Sequence, residues 1–244
     1  MEHCKYLRPL RSRKSFSRNE LFEAMSFAGS SFSEASLKAE LQKLLKSAYI
    51  VRVGRNAYSI PVDGISKYQY EYSELAKNIA KIIEQQYPLI SFGILEMVQL
   101  NEFMNHQLAH NVIILSIEGD LGDFVFDTLK ESYPGKVLLE PTIDIFHKYW
   151  YGDMIVIRKL VTEAPKSQSC IWAAKLEKLL VDIVSDPLIL NSISVSEYPN
   201  IYTDAFNKYI IDESCLFRYA KRRGSANAIM EIIENKTNIQ LRTR

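Results

Sequence analysis

Val112-Ile-Ile-Leu-Ser-Ile117 is a near-continuous apolar run of strand length. A strand of this composition has no polar face to give to water. It must be covered on both sides, and in a chain that also carries helical periodicity the cover comes from helices. Met154-Ile-Val-Ile-Arg-Lys159 and Lys136-Val-Leu-Leu-Glu140 read as further strands. Between them, Asp120 to Ser132 and Thr142 to Trp150 read as helices, so strands and helices alternate. No stretch reaches the ~18 consecutive apolar residues that span a bilayer, and no membrane partner is expected.

Other helices surround this core. Ser73 opens one with Leu75, Ile79, Ile82 and Ile83 in a stripe that stops before Pro88. Pro88 to Gly93 reads as a short strand and Ile94 to Asn105 as a helix. Ala173, Leu176, Leu180, Ile183 and Val184 stripe another helix, ended by Pro187. Tyr202 to Tyr209, Ser214 to Arg222 and Ala226 to Glu234 complete a helical ending. At 47% apolar and 24% charged residues the 244-residue chain is neither disordered nor fibrous, and it is long enough for one or two domains.

Charge divides the chain. Residues 1–60 hold eleven Lys and Arg against five Asp and Glu, a net of +6, and the rest carries −5. A basic segment attracts phosphate backbones, whereas an acidic body does not. Within this segment Ser17-Arg-Asn-Glu20 has capping-box form, followed by Leu21, Phe22, Met25 and Ala28 at helical spacing, with Gly29 as the stop. Ser33 opens a second helix whose stripe is Leu37, Leu41, Leu44, Leu45 and Ala48, with Lys38, Gln42, Lys43 and Lys46 facing out. Ile50 to Val53 and Ala57 to Ile60 flank Gly54-Arg-Asn56, a hairpin with Arg52 and Arg55 at or beside its tip. Two helices and a basic hairpin make a winged helix. Its second helix offers Ser36 and Lys38 to base edges while the hairpin arginines grip phosphates. Arg18, Ser36, Lys38, Lys43, Arg52, Arg55 and Asn56 are the candidate DNA-binding residues.

The expected fold is therefore mixed α+β. An N-terminal winged helix-turn-helix domain over 1–62 and a linker from Val62 to Gln69 precede an α/β domain with C-terminal helices over 70–244. The first residues, Met1-Glu-His-Cys-Lys-Tyr-Leu-Arg-Pro-Leu, contain no apolar leader, which gives a cytoplasmic expectation. Cys4, Cys170 and Cys215 are odd in number and widely spaced, as free thiols are.

Catalytic motifs are absent. No phosphate-binding glycine loop and no GxSxG occurs. His106 and His110 sit at i, i+4, but Gln107 stands where a metalloprotease has its glutamate. Glu118, Asp120 and Asp123 lack the Gly-Ser pair and alternate spacing of a nucleotidyltransferase, and Ile157 stands two before Lys159 where a nuclease needs a carboxylate. Tyr149, Trp150 and Tyr151 read as core or as a partner surface rather than as a stacking platform. No catalytic residue, metal or cofactor is assigned. Two alternatives stay open: a diverged nucleotidyl- or phosphoryl-transfer enzyme using Asp120 and Asp123, and a winged helix that docks protein.

The hairpin Val53-Gly-Arg-Asn-Ala-Tyr58, the stretch Leu100-Asn-Glu-Phe-Met-Asn-His-Gln107 and the helix Ala174-Lys-Leu-Glu-Lys-Leu-Leu-Val-Asp182 follow one another in order. Together they resemble the AbiEi-like antitoxins of type IV toxin–antitoxin systems. Asn56 replaces the second glycine of that family's hairpin and tolerates the same left-handed conformation. The resemblance implies an operon repressor that binds double-stranded operator DNA, with a nucleotidyltransferase toxin as its partner. It places phosphate contacts at Arg52 and Arg55, and base contacts at Ser36 and Lys38.

Overall fold

The computed structural model describes residues 4–28, 33–61, 65–150, 152–167 and 170–243. They form a mixed α+β molecule with two small sheets.

The N-terminal part begins with a short helix, α1 (Cys4–Leu7), and a 3-10 turn at Arg8–Leu10. Phe16 then exchanges backbone hydrogen bonds with Tyr58, at 2.8 and 2.9 Å. Helix α2 (Arg18–Phe27) starts on the expected capping box: Glu20 N donates to Ser17 Oγ at 3.2 Å, and Ser17 N donates to Glu20 Oε2 at 2.7 Å. Gly29, the expected stop, lies outside the described residues. Helix α3 (Glu34–Lys46) is capped by Ser33. Strands β1 (Val51–Gly54) and β2 (Ala57–Ser59) pair antiparallel. Tyr6, Leu7, Leu10, Phe16, Leu21, Met25, Leu41, Leu44, Ile50 and Tyr58 close a hydrophobic cluster of their own.

Of the expected linker, residues 62–64 lie outside the described residues. Ser66 is pinned, donating its amide to Lys208 O at 3.1 Å and accepting the amide of Ile210 at 2.9 Å. Helix α4 (Glu74–Gln86) begins at the Ser73 cap. Strand β3 (Phe92–Glu96) and a 3-10 turn (Met97–Glu102) replace the expected strand at Pro88–Gly93 and helix at Ile94–Asn105. The physical reason is pairing. Phe92 to Glu96 align antiparallel with Ile117 to Ile113, which satisfies a buried backbone that periodicity alone would have coiled.

Next in order are β4 (Val112–Ile117), α5 (Gly122–Ser132), β5 (Val137–Leu139), α6 (Ile143–Tyr149) and β6 (Met154–Lys159). The sheet order is β3-β4-β6-β5, with β4, β6 and β5 parallel. Alternation along β4 sends Ile113, Leu115 and Ile117 to the cluster under α4 and α5, and Val112 and Ile114 to the cluster under the helical ending. Burial on both faces is thus met, as the continuous apolar run requires.

The ending comprises α7 (Leu176–Asp182), α8 (Pro187–Ser192), α9 (Tyr198–Lys208), α10 (Glu213–Arg222) and α11 (Ala226–Lys236). Helix α7 starts later than the stripe suggested because Ala173 and Ala174 pair with β3: Ile94 N donates to Trp172 O at 2.8 Å and Ala174 N to Ile94 O at 3.2 Å. Pro187 opens α8 behind its Asp186 cap. No helix among the described residues is long and apolar enough to cross a membrane.

Candidate functional site

Arg18 is the first residue of α2, and its amide donates to Asn56 Oδ1 at 3.1 Å. Asn56 takes the left-handed conformation its position requires, with φ 53°. The Arg18 guanidinium lies over the Phe22 ring at 4.9 Å and 3.6 Å from Glu34. Lys38 meets the same Glu34 at 3.6 Å. The Ser36 hydroxyl lies 2.8 Å from that of Ser33. Lys43 stands 3.9 Å from Glu40. Arg18, Asn56, Ser36 and Lys38 are therefore gathered around the start of α2 and α3. Lys43 sits about 7.5 Å further along the α3 axis, five residues at the helical rise.

Helix geometry refines the expected contact face. At about 100° per residue, the buried side of α3 is centred between Leu41 and Leu44. The opposite side carries Ala35, Ala39 and Lys46 near its middle, with Gln42 and Lys43 on either side of them, all exposed. Ser36 and Lys38 lie on its two flanks. Gln42 and Lys46 were visible in the sequence as outward residues, yet the expected contact set passed over them. The helical period was the feature that could have selected them. No carboxylate occupies outward positions 35, 38, 39, 42, 43 or 46. Glu20 is the acid nearest the capping box, and the Ser17 hydrogen bonds, then Arg13, hold its carboxyl below the usual range.

The hairpin behaves differently from expectation. Arg52 and Arg55 are both exposed, but they do not extend away from the larger part of the molecule. Arg52 Nε donates to Gly54 O at 3.1 Å and stands 4.0 Å from Asp212. The Arg55 amide donates to Ser214 Oγ at 2.8 Å. A Cβ at Gly54 would lie 2.6 Å from Thr243 Cγ2 and 2.8 Å from Ser214 Oγ, so glycine is what lets the strand approach this closely. A groove of about 600 Å³ lined by Ser17, Arg55, Asn56, Phe217 and Arg242 runs along the junction. The acidic larger part and the basic N-terminal part thus touch at this point, where α10 seats the hairpin tip.

The remaining candidates fall elsewhere. His106 Nδ1 pairs with Glu197 at 2.7 Å rather than with His110. Asp120 pairs with Lys159 at 2.9 Å, and Glu118 accepts the Ser91 amide at 3.2 Å. Among the described residues no three His, Cys, Asp or Glu side chains gather as a metal site would need. Trp150 stacks on Phe146 with ring centroids 5.2 Å apart, a core contact, and Tyr151 lies outside the described residues. A buried charged network also escaped the sequence reading. Lys178 and Asp182 pair within α7, Tyr219 donates to Asp182 at 3.0 Å, and Arg223 approaches it at 3.6 Å.

The model of a family of unknown function, DUF6577, matches residues 36–239. The chain belongs to that family. The matched span runs from the third residue of α3 through the hairpin and the larger part to Ile239, short of Arg242 and Thr243. No curated protein matches the chain. The crystal structure of the RV2827C protein from Mycobacterium tuberculosis is similar at 11% identity, covering 98% of this chain and 82% of that one, with a TM-score of 0.24.

Proposed function

We propose that residues 4–60 form a winged helix that binds duplex DNA through the outward face of α3, and that the protein is a cytoplasmic transcriptional regulator of the antitoxin-like kind. The supporting observation is that face: Lys38, Gln42, Lys43 and Lys46 project from α3, whose two carboxylates, Glu34 and Glu40, stand on its flanks beside Lys38 and Lys43. The order of elements agrees with it. A short helix, the Phe16 bridge to Tyr58, α2, α3 and the β1–β2 hairpin follow the sequence of a winged helix around a separate core. Lysines on such a face neutralise phosphates, and the exposed Gln42 amide suits a base edge. The larger part is the module through which a nucleotidyltransferase toxin or another effector acts.

The test is fluorescence anisotropy of a labelled duplex against salt. Binding through the lysine face gives an affinity that falls as salt rises, with a slope that drops by about 0.9 for each phosphate contact removed. A second reading, a winged helix that docks protein, is favoured by the seating of the hairpin on α10. It predicts no DNA binding even at low salt.

A further inference from the structure

Residues 239–243 run back from α11 to the hairpin. Ile239 and Leu241 anchor this strap on the main hydrophobic cluster. Beyond them a single carboxylate receives the chain. Glu213, 2% exposed, accepts the Arg242 amide at 2.8 Å, the Thr243 amide at 2.9 Å and the Thr243 hydroxyl at 2.6 Å. From the other side Ser15 Oγ donates to Arg242 O at 2.8 Å, and Thr243 Cγ2 fills the space against Gly54. Next to Glu213, Ser214 holds the Arg55 amide, and Asp212 stands 4.0 Å from the Arg52 guanidinium.

The strap therefore touches the N-terminal unit at Ser15 and Gly54, and α10 at Glu213. Three physical consequences follow. A buried carboxylate taking three hydrogen bonds is strongly committed to its partners. The hairpin tip is covered on one side by Thr243 and Ser214, so on that side its backbone is closed to a duplex while the Arg52 and Arg55 side chains stay exposed. Arg52 also spends part of its field on Asp212 rather than on a phosphate.

We infer that the Glu213–Thr243 strap is an intramolecular latch that withholds the hairpin from DNA, leaving α3 to bind alone until the latch opens. This rests on the DNA-binding reading above and names its regulation. In the latched protein Arg55 contributes little to DNA affinity. In the unlatched protein the hairpin adds its own phosphate contacts.

The experiment compares the full chain with a variant lacking residues 242–244 and with Glu213→Gln. The removed segment includes Arg242 and Arg244, so its loss subtracts two positive charges, and simple electrostatics predicts weaker DNA binding. The latch predicts the opposite. Without DNA, amide hydrogen exchange at 54–56 accelerates in both variants. With a mixed-sequence duplex of about 30 base pairs at low salt, both bind about fivefold or more tightly than the full chain, the lower end of ordinary coupling between sites. The salt slope steepens by about one for each arginine engaged. Arg55→Ala, whose latch contact is through the backbone, weakens the shortened protein more than the full chain. Unchanged exchange at 54–56 overturns the latch. Faster exchange with equal or weaker DNA binding overturns its inhibitory role while the DNA reading stands. No binding by any form overturns both.

Discussion

Asn56 Oδ1 accepts the Arg18 amide at 3.1 Å, which ties the hairpin turn to the first turn of α2. One residue meets two demands, a left-handed backbone at φ 53° and an acceptor for an amide that the helix itself leaves unpaired. Asn56→Gly keeps the backbone and loses the bond, a cost of about 1 kcal/mol. Asn56→Ala loses the bond and strains the backbone, adding about 1–2 kcal/mol. Urea unfolding of the two variants checks the order, alanine below glycine.

Asp182 is the hub of the buried network in α7, and Lys178 reaches it from one turn away. Asp182→Ala leaves a buried ammonium unpaired and takes away the acceptor of Tyr219, while Arg223 keeps Ser185 and Asp186, so it costs about 3–5 kcal/mol. Lys178→Met leaves Asp182 paired with Tyr219 and Arg223, and its cost is smaller. Thermal unfolding of both variants tests this asymmetry. Equal losses would contradict it.

Two glutamates give opposite pH dependences. The carboxyl of Glu20 is held below its ordinary value by the Ser17 bonds and Arg13. Its stabilisation is present above the ordinary glutamate range and is lost as pH falls through the lowered value. That of Glu177 is pushed up by burial, against the pull of its hydrogen bond from the Asp212 amide. The folded state holds that proton longer than the unfolded chain does, so stability falls as pH rises from the ordinary value through the raised one. Glu20→Gln flattens the acid side of the stability profile. Glu177→Gln, still an acceptor for Asp212, removes the fall at higher pH. Urea midpoints measured across pH read both.

The Gly54 approach to Thr243 predicts a local effect of substitution. Gly54→Ala places a methyl where Thr243 Cγ2 and Ser214 Oγ now stand, so the strap or the hairpin must shift. Exchange of the Arg55 amide is expected to rise with little change at the buried strand β4. Unaltered exchange at Arg55 would show that the junction absorbs the methyl without opening.

Sequence patterning carried the capping box at Ser17, the α3 stripe from Leu37 to Leu45, the hairpin turn and the doubly covered strand β4, but not Ala48, which lies past the end of α3, exposed and at φ 56°. Each of these is a local rule with one physical solution. The first helix at Cys4–Leu7 was missed because four residues show no period. The Phe16 bridge was missed because a single strand residue has no alternation. Ile94 and Ala173 were read as helical because apolar spacing does not distinguish a short buried strand from a helix, and their mutual bridge joins residues far apart in the chain. At the candidate site, the lysines of α3 were legible from period alone. The seating of Arg55 on Ser214 and of Thr243 on Glu213 was not, since neither pairing leaves a trace in local spacing.

DNA binding by α3 is tested most directly by the salt dependence of affinity in the full chain and in Lys43→Ala and Lys46→Ala. Binding through the lysine face gives measurable affinity at low salt and a slope reduced by about 0.9 in each variant, with unfolding stability unchanged within about 0.5 kcal/mol. Slopes in both variants equal to that of the unaltered chain, or no binding at any salt, would contradict it.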